Sequence, residues 1–215
     1  MLIFPPRLLN AKRNFLLFCT LIFSYNAMAE TIDASLHLKQ KLANLQSFEA
    51  NFIQKVSDID NQLLQEADGN IALKQPNKLY WELNEPNENV LIADGLSLWH
   101  IDPFVEQVVA LQQDLAIENN PLILLTDPSS EAWHNFEVSE QDNVFTVTAK
   151  KIDVSIVKLM LRFSHDQLVE LSMEDSQQQT SQLVFSDIRQ NQDLDDSRFV
   201  FSMPMGYELD DQRTQ

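Results

Sequence analysis

Glycine, cysteine and basic side chains are all scarce in this chain of 215 residues. Its three glycines are Gly69, Gly95 and Gly206, which leaves no glycine-rich loop of the kind that cradles a nucleotide phosphate. Cys19 is the single cysteine, so no disulfide can form within the chain. The 15 Lys and Arg stand against 32 Asp and Glu, giving a formal net charge of −17. Because nucleic-acid binding depends on basic side chains that neutralise phosphates, this charge argues against a nucleic-acid partner.

The sequence also lacks the usual signatures of catalysis and metal binding. The four histidines are far apart, and neither HExxH nor a His/Cys pair stands at the spacing of zinc ligands. No GxSxG motif marks a serine nucleophile. The acidic clusters at 58–60 and 193–196 lack the glycine and the final glutamate of an EF-hand loop. With 32 carboxylates present, no pair stands out for acid–base chemistry. We therefore expect no metal, no cofactor and no enzymatic activity.

Residues 1–29 have the composition of a cleaved secretory signal peptide. Three basic residues precede an apolar run at 15–23, and Ala27-Met28-Ala29 then provides the small-x-small pattern that a signal peptidase cleaves. The run is shorter than the roughly 20 residues that span a bilayer. A buried N-terminal helix is the less favoured alternative.

Removal of this leader changes the charge of what remains. The leader takes away three basic residues, no acidic ones and Cys19, so the mature domain, 30–215, has 12 Lys and Arg against 32 Asp and Glu. The resulting net charge of −20 repels anionic lipid surfaces. We expect a secreted or periplasmic monomer without stable membrane insertion, whose stability comes from core burial alone because no thiol remains.

The mature sequence begins with a helical pattern and continues with strand patterns. Leu38, Leu42 and Leu45 recur at spacings of four and three residues, which predicts an amphipathic helix capped by Thr31 or Asp33. From residue 48 onward, about ten short stretches alternate apolar and polar residues between turns, which is typical of strands. No linker or repeat divides the chain, so we predict an antiparallel barrel or a strongly curved sheet.

An apolar segment, Leu122-Ile123-Leu124-Leu125, interrupts the strand pattern in the middle of the chain. It lies between Asn120-Pro121 and Asp127-Pro128, and proline is accepted at the first position of a helix. Because the segment is apolar on every side, a helix here would be buried on all faces or would cover an apolar guest.

Several short motifs stand in order along the mature chain. They are Leu45-x-x-Phe48-x-Ala50-x-Phe52-x-Gln54, Gly69-x-Ile71-x-Leu73-Lys74-x-Pro76, Trp81-Glu82, Ala93-Asp94-Gly95-x-x-Leu98-Trp99, Asp102-Pro103-Phe104-Val105-Glu106-Gln107, Phe199-x-Phe201-x-x-Pro204-x-Gly206 and Asp210-Asp211-Gln212-Arg213. In this order they resemble the LolA family of periplasmic outer-membrane lipoprotein carriers, from about residue 38 to residue 213.

The resemblance implies a mainly β protein with helices (α+β), an unclosed antiparallel β-barrel or half-barrel covered by an α-helical lid around an apolar cavity. It implies a chaperone in the periplasm of a Gram-negative bacterium. Such a chaperone takes lipidated lipoproteins from an inner-membrane ABC transporter to an outer-membrane receptor by sheltering their acyl chains. The expected lid residues are Leu38, Leu42, Leu45, Leu122 and Leu125. The expected cavity residues are Phe48, Phe52, Leu79, Trp81, Trp99, Ile101, Met160, Met173 and Phe185.

One position departs from the family pattern. The family usually has an arginine before the proline of its KRP segment, where it reaches backbone carbonyls of the lid and holds the empty cavity shut. This chain has Lys74-Gln75-Pro76 instead. Glutamine donates hydrogen bonds but lacks the charge and the planar fork of a guanidinium group, so we expect a weaker latch. The lid is then held by Gln75 with help from Lys74 or Lys78, or mainly by the packing of residues 122–125.

Two other functions stay open at the level of sequence. A lipid-sensing regulatory domain on the same half-barrel would need an added partner-binding domain, for which we expect no room in 215 residues. A periplasmic lipid hydrolase would need a nucleophile beside a base in a pocket. A lipoprotein receptor is disfavoured because no lipid-anchoring cysteine stands at the expected mature N-terminus.

Overall fold

A computed structural model describes residues 33–117, 120–151 and 153–213 of the chain. The predicted signal peptide, residues 1–29, lies outside the described residues. The helices are α1 (Ala34–Ala43) and α2 (Gln113–Ala116), with 3₁₀ helices at Pro121–Thr126, Glu131–Asn135 and Asp196–Phe199. The strands are β1 (Ser47–Ser57), β2 (Leu63–Lys74), β3 (Lys78–Leu83), β4 (Asn89–Asp94), β5 (Ser97–Asp102), β6 (Gln107–Gln112), β7 (Phe136–Gln141), β8 (Val144–Ala149), β9 (Ile156–Ser164), β10 (Gln167–Asp175), β11 (Thr180–Gln190) and β12 (Glu208–Asp211).

These twelve strands join one open sheet, in the order β12-β6-β5-β4-β3-β2-β1-β11-β10-β9-β8-β7. Neighbouring strands are antiparallel, except that β12 lies parallel to β6. Within the described residues β12 and β7 are the two edges, so the sheet does not close into a full barrel. The predicted unclosed half-barrel is confirmed.

Strand β1 shows why the sheet has one strongly apolar face. Phe48, Ala50, Phe52 and Gln54 are all buried and alternate with more exposed residues. Since successive side chains of a strand point to opposite faces, these four lie on a single face. We call this the inner face, because α1 packs against it. Its side chains belong to one apolar cluster that extends from β1 to β5 and from β7 to β11.

Helix α1 begins at a side-chain cap and packs on the inner face through its apolar stripe. The Asp33 carboxylate accepts a hydrogen bond of 3.0 Å from the Ser35 backbone N–H. Leu38 and Leu42 are fully buried in the inner cluster. At the flank of this stripe, the partly buried Lys41 donates to Asp166 Oδ1 at 3.0 Å. The spacing of the two leucines therefore decides which side of the helix meets the sheet.

The apolar segment of the middle region forms the 3₁₀ helix Pro121–Thr126, and every residue in it is buried. The Asn120 side chain caps it by accepting a hydrogen bond of 3.3 Å from the Leu122 N–H. At its far end, Thr126 Oγ1 donates to the Ile123 carbonyl at 2.7 Å. Among the described residues, no helix is both long and apolar enough to cross a lipid bilayer.

Candidate functional site

Two short segments cover the inner face, and we call them the lid. One is α1 with Leu45, which follows it directly, and the other is the 3₁₀ helix at 121–126. All five predicted lid residues are buried in the same apolar cluster as the inner face of the sheet. They are Leu38, Leu42, Leu45, Leu122 and Leu125. The structure thus brings together two segments that are far apart in sequence.

Six of the nine predicted cavity residues lie beneath or beside the lid on the inner face. They are Phe48, Phe52, Leu79, Trp81 and Phe185, with Met173 partly buried against the same cluster. The rings of Phe48 and Phe185 meet edge to face with centroids 5.2 Å apart. The rings of Phe52 and Trp81 are stacked at 6.0 Å. These aromatic side chains fill the interior beneath the lid.

The placement of Trp99 and Ile101 in the cavity is wrong. Their neighbour in β5, Leu98, belongs to the inner cluster, so the alternation of the strand turns Trp99 and Ile101 to the opposite, outer face. There Phe201 stacks on Trp99 with ring centroids 4.0 Å apart. The physical reason is that the C-terminal segment, residues 191–207 between β11 and β12, covers this part of the outer face. Strand β5 is therefore apolar on both sides.

The placement of Met160 in the cavity is wrong for a similar reason. Leu159 and Leu161, on either side of it in β9, are fully buried in the inner cluster. Met160 therefore points outward, and it is only partly buried.

The turn between β2 and β3 fastens the lid. Gln75 Nε2 donates hydrogen bonds to the backbone carbonyls of Leu42 at 2.6 Å and of Leu45 at 2.9 Å. The last carbonyls of a helix have no donor within the helix. The Leu42 carbonyl already accepts from the Leu45 N–H at 2.9 Å, so the Gln75 amide adds a second donor there and ties the end of α1 to this turn. In the same turn, the Asn77 N–H donates to the Thr126 carbonyl at 3.2 Å. One turn thus holds both segments of the lid.

Help for Gln75 from Lys74 or Lys78 was one of the two alternatives for holding the lid, and both lysines bind elsewhere. Lys74 Nζ donates to the Leu194 carbonyl at 2.6 Å and lies 2.9 Å from Asp196 Oδ1. Lys78 Nζ also donates to Asp196 Oδ1, at 2.9 Å. The hydrogen bonds from Lys74 and Lys78 lower the pKa of Asp196. Both lysines therefore hold the C-terminal region and not the lid.

A cavity of about 350 Å³ opens between α2 and strands β4 to β6. Its apolar lining includes Leu91, Leu98 and Leu111, which pack with the inner cluster. His100 contributes a polar group. Burial lowers the pKa of His100, and the charge of Asp102 opposes that effect. A neutral imidazole is consistent with this mostly apolar cavity.

A second cavity, of about 540 Å³, lies beside the first on the inner face. Trp81, Leu83 and Asn89 line it. Asn89 and Leu83 are paired across β3 and β4, so they share the inner face. The Asn89 amide lies 2.7 Å from His100 Nε2, which joins the linings of the two cavities.

Sequence reasoning missed the leucines of the first cavity and a buried glutamine. Leu98 could have been found, because the turn at Gly95 pairs Ala93 with Leu98 across β4 and β5. Gln113 gave no such indication. Its Oε1 accepts from the Gly95 N–H at 2.9 Å, and its Nε2 donates to the Asn77 carbonyl at 2.9 Å. Gln113 therefore links the turn between β4 and β5 to the turn that carries the latch.

The fold and the site together define a lidded, open half-barrel with an apolar interior. Residues 43–202 match the model of the family described as outer membrane lipoprotein carrier protein LolA. The chain belongs to this family. Within the described residues, no group of three or more His, Cys, Asp or Glu side chains converges to hold a metal ion.

Two relatives agree with the family match over most of the chain. The outer-membrane lipoprotein carrier protein of Shewanella loihica is 36% identical over 187 residues, which cover 87% of this chain and 90% of that protein. Its counterpart in Aeromonas salmonicida is 37% identical over 182 residues, which cover 84% of this chain and 90% of that protein. A crystal structure of a LolA superfamily protein from Nitrosomonas europaea covers 79% of this chain and 99% of its own, with 16% identity and a TM-score of 0.44.

Proposed function

We propose that this chain is a periplasmic carrier of lipoproteins destined for the outer membrane, and that it acts without catalysis. It shelters the acyl chains of its cargo against the inner face while the lipoprotein crosses the aqueous space. The observation that carries this proposal is the lid, whose segments are buried on an apolar face yet fastened to one turn by Gln75 and Asn77. Membership of the carrier family supports it.

The energetics of acyl chains explain why such a carrier needs a lid. Burial of each methylene contributes about 0.8 kcal/mol, so two long chains represent tens of kcal/mol in water. Non-covalent affinities saturate near about −20 kcal/mol, and a site that bound so tightly would not release its cargo. A closed empty state solves this problem, because the free energy needed to open the lid is subtracted from the free energy of binding.

The closed lid has the properties that this scheme requires. Phe48, Phe52 and the lid leucines are buried against one another, so acyl chains enter only when the lid moves. Helix α1 has ten residues, too few to be stable as an isolated helix. We propose that the cargo's chains replace the lid on the inner face, contacting Phe48, Phe52, Leu79, Trp81, Met173 and Phe185.

The route and the location follow from the same proposal. We propose removal of residues 1–29 on export, loading by an inner-membrane ABC transporter, and delivery to an outer-membrane receptor. The protein would act as a monomer, without nucleic acid and without stable insertion into a membrane. Its high negative charge supports only brief contact with anionic lipid surfaces.

The latch provides the test of this function. Gln75→Leu removes two hydrogen bonds that close the lid, each contributing about 0.5–1.5 kcal/mol. Opening then costs about 1–3 kcal/mol less, so the variant should retain a lipidated cargo about five- to 150-fold more strongly against transfer to the receptor. Gln75→Arg adds charge-assisted bonds to the same carbonyls and should shift the cargo toward the receptor. The measurement is the partition of a purified lipoprotein between carrier and receptor.

A matched control is available at Gln177, an exposed glutamine in the turn between β10 and β11. Gln177→Leu and Gln177→Arg change the same side chains without touching the lid, and the partition should stay at the wild-type value. If the Gln75 variants also partition like the wild type, the latch has no role. If the wild-type protein binds no acylated lipoprotein, the function itself is wrong.

A further inference from the structure

Trp81 carries a buried hydrogen-bond donor that is not used. Its side chain is 9% exposed, and its Nε1–H meets no acceptor among the residues that the structure describes. The other two tryptophans of the chain do have partners. Trp99 Nε1 donates to Asp94 Oδ2 at 2.8 Å, and Trp133 Nε1 donates to the Asp127 carbonyl at 3.0 Å. The unpaired donor is therefore a feature of one site, on the inner face.

The strand register explains why this donor has no partner. The cross-strand neighbours of Trp81 are Ile71 on β2 and Leu91 on β4, and neither side chain has an acceptor. Phe52, which stacks on the indole ring, has none either. Indole Nε1 can donate but cannot accept, so an acceptor on a bound guest would satisfy it. Leaving such a donor unpaired costs about 1–3 kcal/mol.

The surroundings of Trp81 suit the junction between an acyl chain and a polar group. Trp81 lines the cavity of about 540 Å³, together with the apolar side chains of Leu83 and Phe104. The same cavity has polar lining from Asn89 and Asp102. On its other side, Trp81 belongs to the apolar cluster beneath the lid. The residue thus stands where an apolar interior meets a partly polar opening.

We propose that the Nε1–H of Trp81 donates a hydrogen bond to an acyl carbonyl oxygen of the bound lipid. This inference rests on the proposed function and deepens it by naming the chemical group that is recognised. Every acyl chain is attached through a carbonyl, which is an acceptor, whereas the chain itself offers only apolar contact. The donor that is unpaired in the empty protein is paired in the loaded one, so the interaction favours the loaded state alone. The site therefore selects acylated lipids over alkylated ones.

The test compares two synthetic lipopeptides that differ only in this group. One carries two palmitoyl ester chains on an S-glyceryl cysteine, and the other carries the matching alkyl ether chains, which lack the carbonyl. The wild-type protein should bind the ester form about three- to tenfold more tightly than the ether form. In Trp81→Phe, which retains an aromatic ring but lacks the donor, the ratio of the two Kd values should fall to about one.

A second measurement uses the wild-type protein and requires no variant. The indole ¹H–¹⁵N resonance of Trp81 should move downfield when the ester lipopeptide binds and move much less with the ether form. The resonances of Trp99 and Trp133, which already have acceptors, serve as internal references.

Each outcome has a distinct meaning. An equal ester preference in wild type and Trp81→Phe, or an indole resonance that responds alike to both lipopeptides, overturns the hydrogen bond while leaving the carrier function intact. The hydrogen bond is overturned in the same way if the wild type binds both forms equally well. If the wild type binds neither lipopeptide, the proposed function fails together with the inference.

Discussion

Gly69 shows at the scale of one residue how closely the inner face is packed. A Cβ atom at this position would overlap the carbonyl oxygen of Glu82 and lie 2.7 Å from Cζ of Phe52. Only glycine lets β2 and the Phe52 ring approach so closely. Phe52 in turn stacks on Trp81. The absence of one side chain on β2 thus positions the aromatic pair that we propose meets the cargo.

His100 gives the site a dependence on pH. Burial lowers its pKa in the folded protein, whereas the unfolded chain has the ordinary value of about 6.5. The folded state then binds fewer protons than the unfolded state, so this contribution to stability is intact above about pH 6.5 and is lost as the pH falls through the folded pKa. We expect His100→Gln to lose less free energy of unfolding between pH 7 and pH 5 than the wild type.

Urea denaturation at the two pH values measures this difference. Gln112→Asn is the control, because Gln112 lines the same cavity but carries no group that titrates. This variant should lose as much stability on acidification as the wild type. An identical loss in wild type and His100→Gln would contradict the prediction and assign the pH dependence to other groups.

At the scale of elements, the short helix α1 depends on its cap as well as on its buried face. Asp33→Ala removes the acceptor for the Ser35 N–H, which costs about 1 kcal/mol of helix stability. The closed lid weakens by that amount, so we expect faster hydrogen exchange of α1 amides and up to about fivefold tighter binding of an acylated lipopeptide. Asp33→Asn retains a capping oxygen and should behave like the wild type. Equal exchange in the two variants would show that the cap does not stabilise the lid.

Elements that bury one face were the ones that the sequence predicted well. The leucine spacing of α1 and the alternation of β1 follow directly from contact with water on one side and with the core on the other. The C-terminal segment, from the far end of the chain, covers β5 from outside. In β5, Leu98 on the inner face and Trp99 on the outer face are therefore both apolar. The local alternation of apolar and polar residues cannot show which of them points inward. The inward phase of Met160 failed because β9 is also apolar on both sides over 159–161.

The latch marks another limit of sequence reasoning. The position of Gln75 before Pro76 pointed to the lid only through the family resemblance. Its two acceptors are backbone carbonyls, which leave no trace in the amino-acid sequence. Likewise, Lys74 and Gln75 are neighbours, yet one binds the C-terminal region and the other the lid. Only the fold distinguishes their roles.

At the scale of the whole molecule, the two faces of the sheet have different functions. The lid on the inner face is held by apolar packing and a few hydrogen bonds. On the outer face, the Arg198 guanidinium binds Glu49 and Asn70 and lies over the Tyr80 ring at 5.1 Å. Burial and the hydrogen bond to Glu82 raise the pKa of Tyr80 to about 12. The charged clamp keeps the C-terminal segment in place on the face opposite the lid that we propose is displaced by cargo.

An open sheet also exposes its edges, and the sequence protects them with negative charge. Within the described residues the edges are β7 and β12, and β12 carries Glu208, Asp210 and Asp211 in four residues. Charged side chains on an edge strand discourage pairing with a second chain. We therefore expect Glu208→Thr combined with Asp210→Thr to make the protein, which we propose is a monomer, self-associate, because the new edge has unpaired backbone groups and β-forming side chains. Light scattering across a range of protein concentrations measures the change in mass.

Asp60→Thr combined with Glu85→Thr is the control, because it removes the same charge from exposed turns and should not self-associate. If both double variants associate alike, net charge and not the edge prevents association, and if neither does, the edge needs no protection.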